Sequence, residues 1–158
     1  MSEGSQHYIG IANGVVICVD DIGNDAIIGR YYHGYQTTAG AFTSITDLLF
    51  QMERLFDYLH FPFPATSNRS FRSRIESYNN EERTRVMTDK ELLEKHGDLG
   101  TFIVRVQHRQ NSSWQGRITW VEENKTVNFR SVWEMMKLID GALDEFKDEE
   151  DLKQPKWE

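Results

Sequence analysis

Phe42-Thr43-Ser44-Ile45-Thr46-Asp47-Leu48-Leu49 and Phe129-Arg130-Ser131-Val132-Trp133-Glu134-Met135-Met136 are one pattern written 87 positions apart. Each places an aromatic residue two positions before a serine and an acid three positions after it. Ser-x-x-acid is the spacing of a capping box, in which the serine and the acid satisfy backbone N–H groups left over at a helix start. Apolar residues then follow at i, i+3, i+4 and i+7 spacing, which predicts an amphipathic helix after each serine.

Working outward, Gly14–His60 lies over Thr101–Lys147 without a gap. Gly29-Arg30 falls on Gly116-Arg117, and Asp57 falls on Asp144. The first helix carries Ile45, Leu48, Leu49, Met52, Leu55, Phe56 and Leu59. These fall on Val132, Met135, Met136, Ile139, Ala142, Leu143 and Phe146, apolar in both copies. Leu49 and Met136 hold equivalent positions and are expected in the core.

Upstream of each helix the pattern alternates. Tyr8–Ala12, the turn Asn13-Gly14 and Val15–Val19 predict a tight hairpin, because Asn-Gly accepts the positive φ angles of a type I′ turn. A turn in Asp20–Asp25 leads to a strand over Ala26–Tyr35. In the second copy, Phe102, Val104, Val106 and His108 alternate with Ile103, Arg105, Gln107 and Arg109. The return strand carries Gly116, Ile118 and Trp120 on one face and Gln115, Arg117 and Thr119 on the other. A loop centred near Ser112 sets apolar opposite apolar, so the second face presents Arg105, Gln107, Arg109, Gln115 and Arg117. Trp114 is expected at the hairpin tip.

Between the copies, Phe61-Pro62-Phe63-Pro64 ends the first unit, since proline continues neither a helix nor a central strand. Asn68–Asn80 reads as loop. Thr88 and Glu91 give a third capping-box spacing, and Gly97 a helix stop, predicting a short helix over Asp89–His96.

The expected fold class is α+β: an internally duplicated strand-strand-helix unit with pseudo-twofold symmetry. Its two hairpins join in one antiparallel sheet, and two amphipathic helices cover one face of it. Each unit of about 45 residues is too small for its own core, so residues 1–158 are expected to form a single domain. It consists of repeats 14–60 and 101–147, an arginine-rich connection 61–100 and an acidic tail 148–158.

Composition narrows the function. An apolar share of 39% with 12% aromatics is that of a globular chain, and no apolar run approaches a membrane span. Met1–His7 lacks the basic-then-apolar pattern of a signal peptide, and Cys18 is the single cysteine. A cytoplasmic protein without membrane association is expected. Net charge of −7 opposes general attraction to nucleic acid. Nine of the eleven arginines nonetheless lie between Arg69 and Arg130, with the acids gathered at the C-terminus.

The five histidines show no metal-ligand spacing, and Asp20–Asp25 lacks the terminal glutamate of a calcium loop, so neither metal nor cofactor is expected. Cys18 sits mid-strand between apolar neighbours, no serine lies in a nucleophile elbow, and no glycine-rich phosphate loop occurs. No catalytic set is legible.

What remains is arginine with aromatic residues. Arg105, Arg109 and Arg117 are expected on one sheet face, with Arg30 as the repeat mate of Arg117 and Trp114 nearby. Guanidinium forks grip carboxylate or phosphate, and aromatic faces stack on bases or fill a partner's pocket. A second cluster, Arg69, Arg72 and Arg74 around Phe71, lies in the connection. The expected role is a non-catalytic binding or regulatory protein that engages a protein partner through Arg30, Arg105, Arg109, Trp114 and Arg117. The alternatives are a binder of single-stranded nucleic acid or a nucleotide-like anion, and an enzyme with an unrecognised site.

Overall fold

A computed structural model describes residues 13–23, 26–64, 69, 71 and 84–147. The expected strand Tyr8–Ala12, most of Asn68–Asn80 (Arg72 and Arg74 with it) and the acidic tail lie outside these residues.

Strands β1 (Val15–Gly23), β2 (Ala26–Tyr32) and β3 (Gly40–Phe42) lead into helix α1 (Ile45–Leu59). A short helix α2 (Asp89–Leu93) follows. Strands β4 (Gly100–His108), β5 (Gln115–Trp120) and β6 (Lys125–Phe129) then lead into α3 (Val132–Ala142), which ends in a 3-10 turn over Asp144–Phe146. The strands form one six-stranded antiparallel sheet in the order β3-β2-β1-β4-β5-β6. The fold is α+β.

Alternation sorts the side chains. Val15, Ile17 and Val19 of β1 and Phe102, Val104 and Val106 of β4 face α1 and α3. They meet Leu48, Met52, Leu55 and Phe56 from α1, and Met135, Ile139 and Leu143 from α3 and its end. Val16, Cys18, Tyr32 and Ile103 point the other way, onto Met87 and Leu92. The central strand β1 is therefore buried on both faces, which explains its unbroken apolar run.

Several expectations are corrected. Each half contains a third strand before its helix, β3 and β6, and β2 ends at Tyr32 rather than Tyr35. Gly40–Phe42 pairs with β2, and Lys125–Phe129 with β5. Both strands lie at sheet edges, where one-sided pairing leaves little apolar periodicity to read. β1 continues past Val19, through a bulge between Val19 and Asp21, to Gly23, so that the chain reverses only at the end of the expected Asp20–Asp25 turn, before Ala26. Helix α2 ends at Leu93, and Gly97 does not cap it. Gly97 instead passes so close to Val19 that a Cβ there would stand 2.4 Å from the Val19 backbone nitrogen. Leu49 and Met136 are only partly buried, because Leu48 and Met135 hold the centre of each stripe.

The caps are half as expected. Ser44 accepts from the Asp47 N–H and Ser131 from the Glu134 N–H, both at 3.1 Å. The acids, however, reach one residue further back, to the N–H groups of Thr43 (3.2 Å) and Arg130 (2.7 Å). Among the described residues, only Thr88 and Glu91 close a complete capping box.

Candidate functional site

The sheet face away from α1 and α3 is divided. Over β1, β2 and the start of β4 it is covered by Met87 and Leu92. Its outer part, on β4, β5 and β6, exposes a polar row. Arg105 of β4 stands directly opposite Arg117 of β5, which stands opposite Asn128 of β6. The next row holds Ile103, Thr119 and Thr126. Thr119 Oγ1 receives the Arg105 Nη2 donor at 2.8 Å and lies 2.8 Å from Thr126 Oγ1. This hydroxyl pair holds Arg105 along the strand. Arg117 is exposed and forms no ion pair among the described residues.

Arg109 does not share this face. The β4–β5 ladder shifts between Val106 and His108, where Gln107 makes an extra residue. Such a bulge reverses the alternation beyond it. Arg109 therefore turns to the helix layer, where it is 5% exposed. Its Nη1 donates to Glu53 Oε1 and Asp57 Oδ1, both at 2.8 Å, and its Nε to the Pro62 carbonyl at 2.6 Å. Trp114 is not an exposed tip either. It is buried against Phe56, edge to face with centroids 5.2 Å apart, and its Nε1 donates to the same Glu53 carboxylate at 3.2 Å.

Arg30 lies on the same sheet face as Arg105 and Arg117, but its fork is engaged within the chain. Nε and Nη2 grip Asp20 at 2.7 and 2.9 Å, Nη1 donates to the Tyr32 hydroxyl at 2.7 Å, and Nη2 reaches the His96 carbonyl at 3.0 Å. The hydrogen bonds to Asp20 hold the guanidinium's pKa above its ordinary value, and the same contact holds the Asp20 carboxyl below its own. Lys95 sits over the Tyr32 ring at 5.0 Å, so this corner is a closed polar cluster.

Of the sequence-derived residues, then, Arg105 and Arg117 stand together on the open patch. Arg30 closes an internal ion pair beside it, and Arg109 and Trp114 meet at Glu53 in the opposite layer. Thr126 and Asn128 also belong to the patch, while Thr119 is buried and supports Arg105. Little in the sequence marks Thr126 and Asn128, because the strand carrying them is exposed at four of its five positions.

Arginine side chains of this kind make charge-assisted hydrogen bonds to anions. Burial pushes the Cys18 thiol up to about 12, so it stays protonated at neutral pH. Burial also pushes His33 down to about 4, leaving a neutral imidazole whose Nδ1 accepts from the Tyr35 N–H at 3.1 Å. No group of three or more histidine, cysteine, aspartate or glutamate side chains among the described residues is arranged to hold a metal ion. No protein family, curated protein or solved structure matches the chain.

Proposed function

We propose that this chain is a non-catalytic binding protein that recognises a carboxylate-bearing protein partner on the open sheet patch around Arg105 and Arg117. The observation carrying this reading is their direct opposition across β4 and β5. Like charges at facing positions of a ladder destabilise it, and an anion placed between them reverses the sign of that interaction. The exposed guanidinium of Arg117 offers a planar fork that carboxylates fit, and Arg105 opposite it adds a second positive charge. Arginine is enriched in protein interfaces, and the net charge of −7 favours a protein carboxylate over a polyanionic nucleic acid.

The test compares acidic peptides with single-stranded oligonucleotides as probes, at low and moderate salt, on the parent chain, Arg117→Ala and the distant control Arg54→Ala. Binding of acidic peptides that is weakened in Arg117→Ala alone is expected. A steeply salt-dependent preference for oligonucleotide transfers the patch to the nucleic-acid reading. Binding untouched by Arg117→Ala overturns the assignment.

The same reading includes a single domain of two repeats, 14–60 and 101–147, about a pseudo-twofold axis. Pairing register supports it. Cys18 pairs with Arg30 as Arg105 pairs with Arg117, and Gly29 with Phe42 as Gly116 with Phe129. Each first strand bulges at the same place, Val19/Asp21 and Val106/His108. At the centre, Val16 pairs with Ile103, its own counterpart 87 positions on. A crystal structure in which Gly14–Leu59 failed to superpose on Thr101–Phe146 would remove the duplication.

A further inference from the structure

Between α3 and the β5–β6 edge runs a cleft of about 310 Å³. Its walls are apolar: Phe102, Ile118 and Trp120 from the sheet, Leu138 and Ala142 from the helix. Phe102 and Trp120 stack there with centroids 6.4 Å apart. Val127, on the outermost strand, also faces the cleft and is 45% exposed. The size is at the lower end of small-molecule sites, and an apolar lining with few polar groups is their usual character.

Two further features point to what would bind. The charged residues lining the cleft are Lys125 and Lys137, one on each wall. Neither is ion-paired among the described residues, in a chain of net charge −7. Lys137 also lies over the Trp133 ring at 5.8 Å. The other feature is Gly141, in the last turn of α3 and on the cleft wall. Nothing crowds this one, since a Cβ there would meet no other atom within 4 Å. Its lack of a side chain leaves the cleft wide at that wall.

We infer that this cleft is a binding site for a small amphipathic anion, whose apolar body lies along Trp120 and Leu138 and whose anionic head sits between Lys125 and Lys137. The apolar walls give affinity by removing hydrocarbon from water, and the two ammonium groups select the charge of the head. The site lies on the helix side of the sheet, away from the Arg105–Arg117 patch, and stands or falls separately from it.

Octanoate, 1-octanol and octyltrimethylammonium share one apolar body and differ in the head. Each is titrated into the full chain and followed by calorimetry and by chemical-shift changes at the Trp120 indole. Saturable one-to-one binding of octanoate is expected, with octanol about tenfold weaker and the cation weaker still. Gly141→Leu fills the cleft and should abolish octanoate binding. The surface pair Lys125→Gln and Lys137→Gln leaves the walls intact and should reduce octanoate to the affinity of octanol. Equal binding of octanoate and octanol, octanoate binding unaffected by the double lysine variant, or no saturable binding at Trp120 overturns the proposal. Shifts confined to β6, with none at α3, would mean that an edge contact and not the cleft takes up the ligand, and would overturn it too.

Discussion

Arg109 donates to Glu53 at 2.8 Å across the sheet–helix interface, joining the end of β4 to the middle of α1 over 56 positions of sequence. The guanidinium is enclosed, while the carboxylates of Glu53 and Asp57 keep contact with water. Breaking a buried ion pair by removing one partner costs about 3–5 kcal/mol when the partner is left buried. Here the acids left behind stay hydrated, so Arg109→Ala is expected to cost about 2–3 kcal/mol. Arg109→Lys keeps the charge but cannot reach both acids and the Pro62 carbonyl together, and should fall between the two. Denaturant midpoints of the three chains check this; a parental midpoint in Arg109→Ala would show that the cluster contributes nothing to stability.

The helix stripes make a sharper comparison between neighbours. Leu48 is 1% exposed and Leu49 only partly buried. Truncating a buried leucine loses its transfer energy and leaves a cavity, about 2–5 kcal/mol in all. Leu48→Ala should fall in that range and Leu49→Ala clearly below it. The reverse order in chemical denaturation would place the α1 stripe one residue round the helix.

The cap of α3 is testable by itself. Ser131→Ala removes the acceptor for the Glu134 N–H and should cost about 1 kcal/mol. Ser131→Asp keeps an acceptor at the cap and should restore most of that loss. Thermal unfolding of both variants measures it, and equal midpoints for parent and Ser131→Ala would contradict the cap.

Acid stability should depend on His33. Its imidazole titrates near 4 in the folded chain because burial opposes the charged form, whereas it titrates near its ordinary value of about 6.5 once unfolded. The unfolded state therefore binds the proton first. The stabilising effect is intact above pH about 6.5, declines as pH falls through the window down to about 4, and is spent below it. The contribution over that window is on the order of 3 kcal/mol. Protonation would also remove the Nδ1 acceptor used by the Tyr35 N–H. His33→Gln should flatten the stability–pH curve between 6.5 and 4. An identical slope in parent and variant would assign the acid sensitivity to carboxylates instead.

Local chemistry made much of this protein legible in its sequence. The apolar spacing after Ser44 and Ser131 defines two helices and their buried sides, because an α-helix repeats every 3.6 residues whatever it packs against. The serine caps are equally local, since donor and acceptor lie three positions apart. The alternation in Val104–Arg105–Val106 correctly turned Arg105 outward, and the matched spacing on the return strand brought Arg117 opposite it.

Tertiary structure decided the rest. One extra residue at Gln107 turns Arg109 from the open face to the helix layer, and alternation cannot reveal a bulge whose arginine finds its acceptors on α1. The edge strands β3 and β6 exist only because β2 and β5 offer them a ladder to join. Trp114 is buried because Phe56 and Glu53 come to meet it from the first half of the chain. Likewise, Met87 and Leu92 cover part of the second face because β1, buried on both sides, needs an apolar partner there. In each case the deciding contact joins residues distant in sequence, and which distant residues meet depends on the packing of the whole sheet.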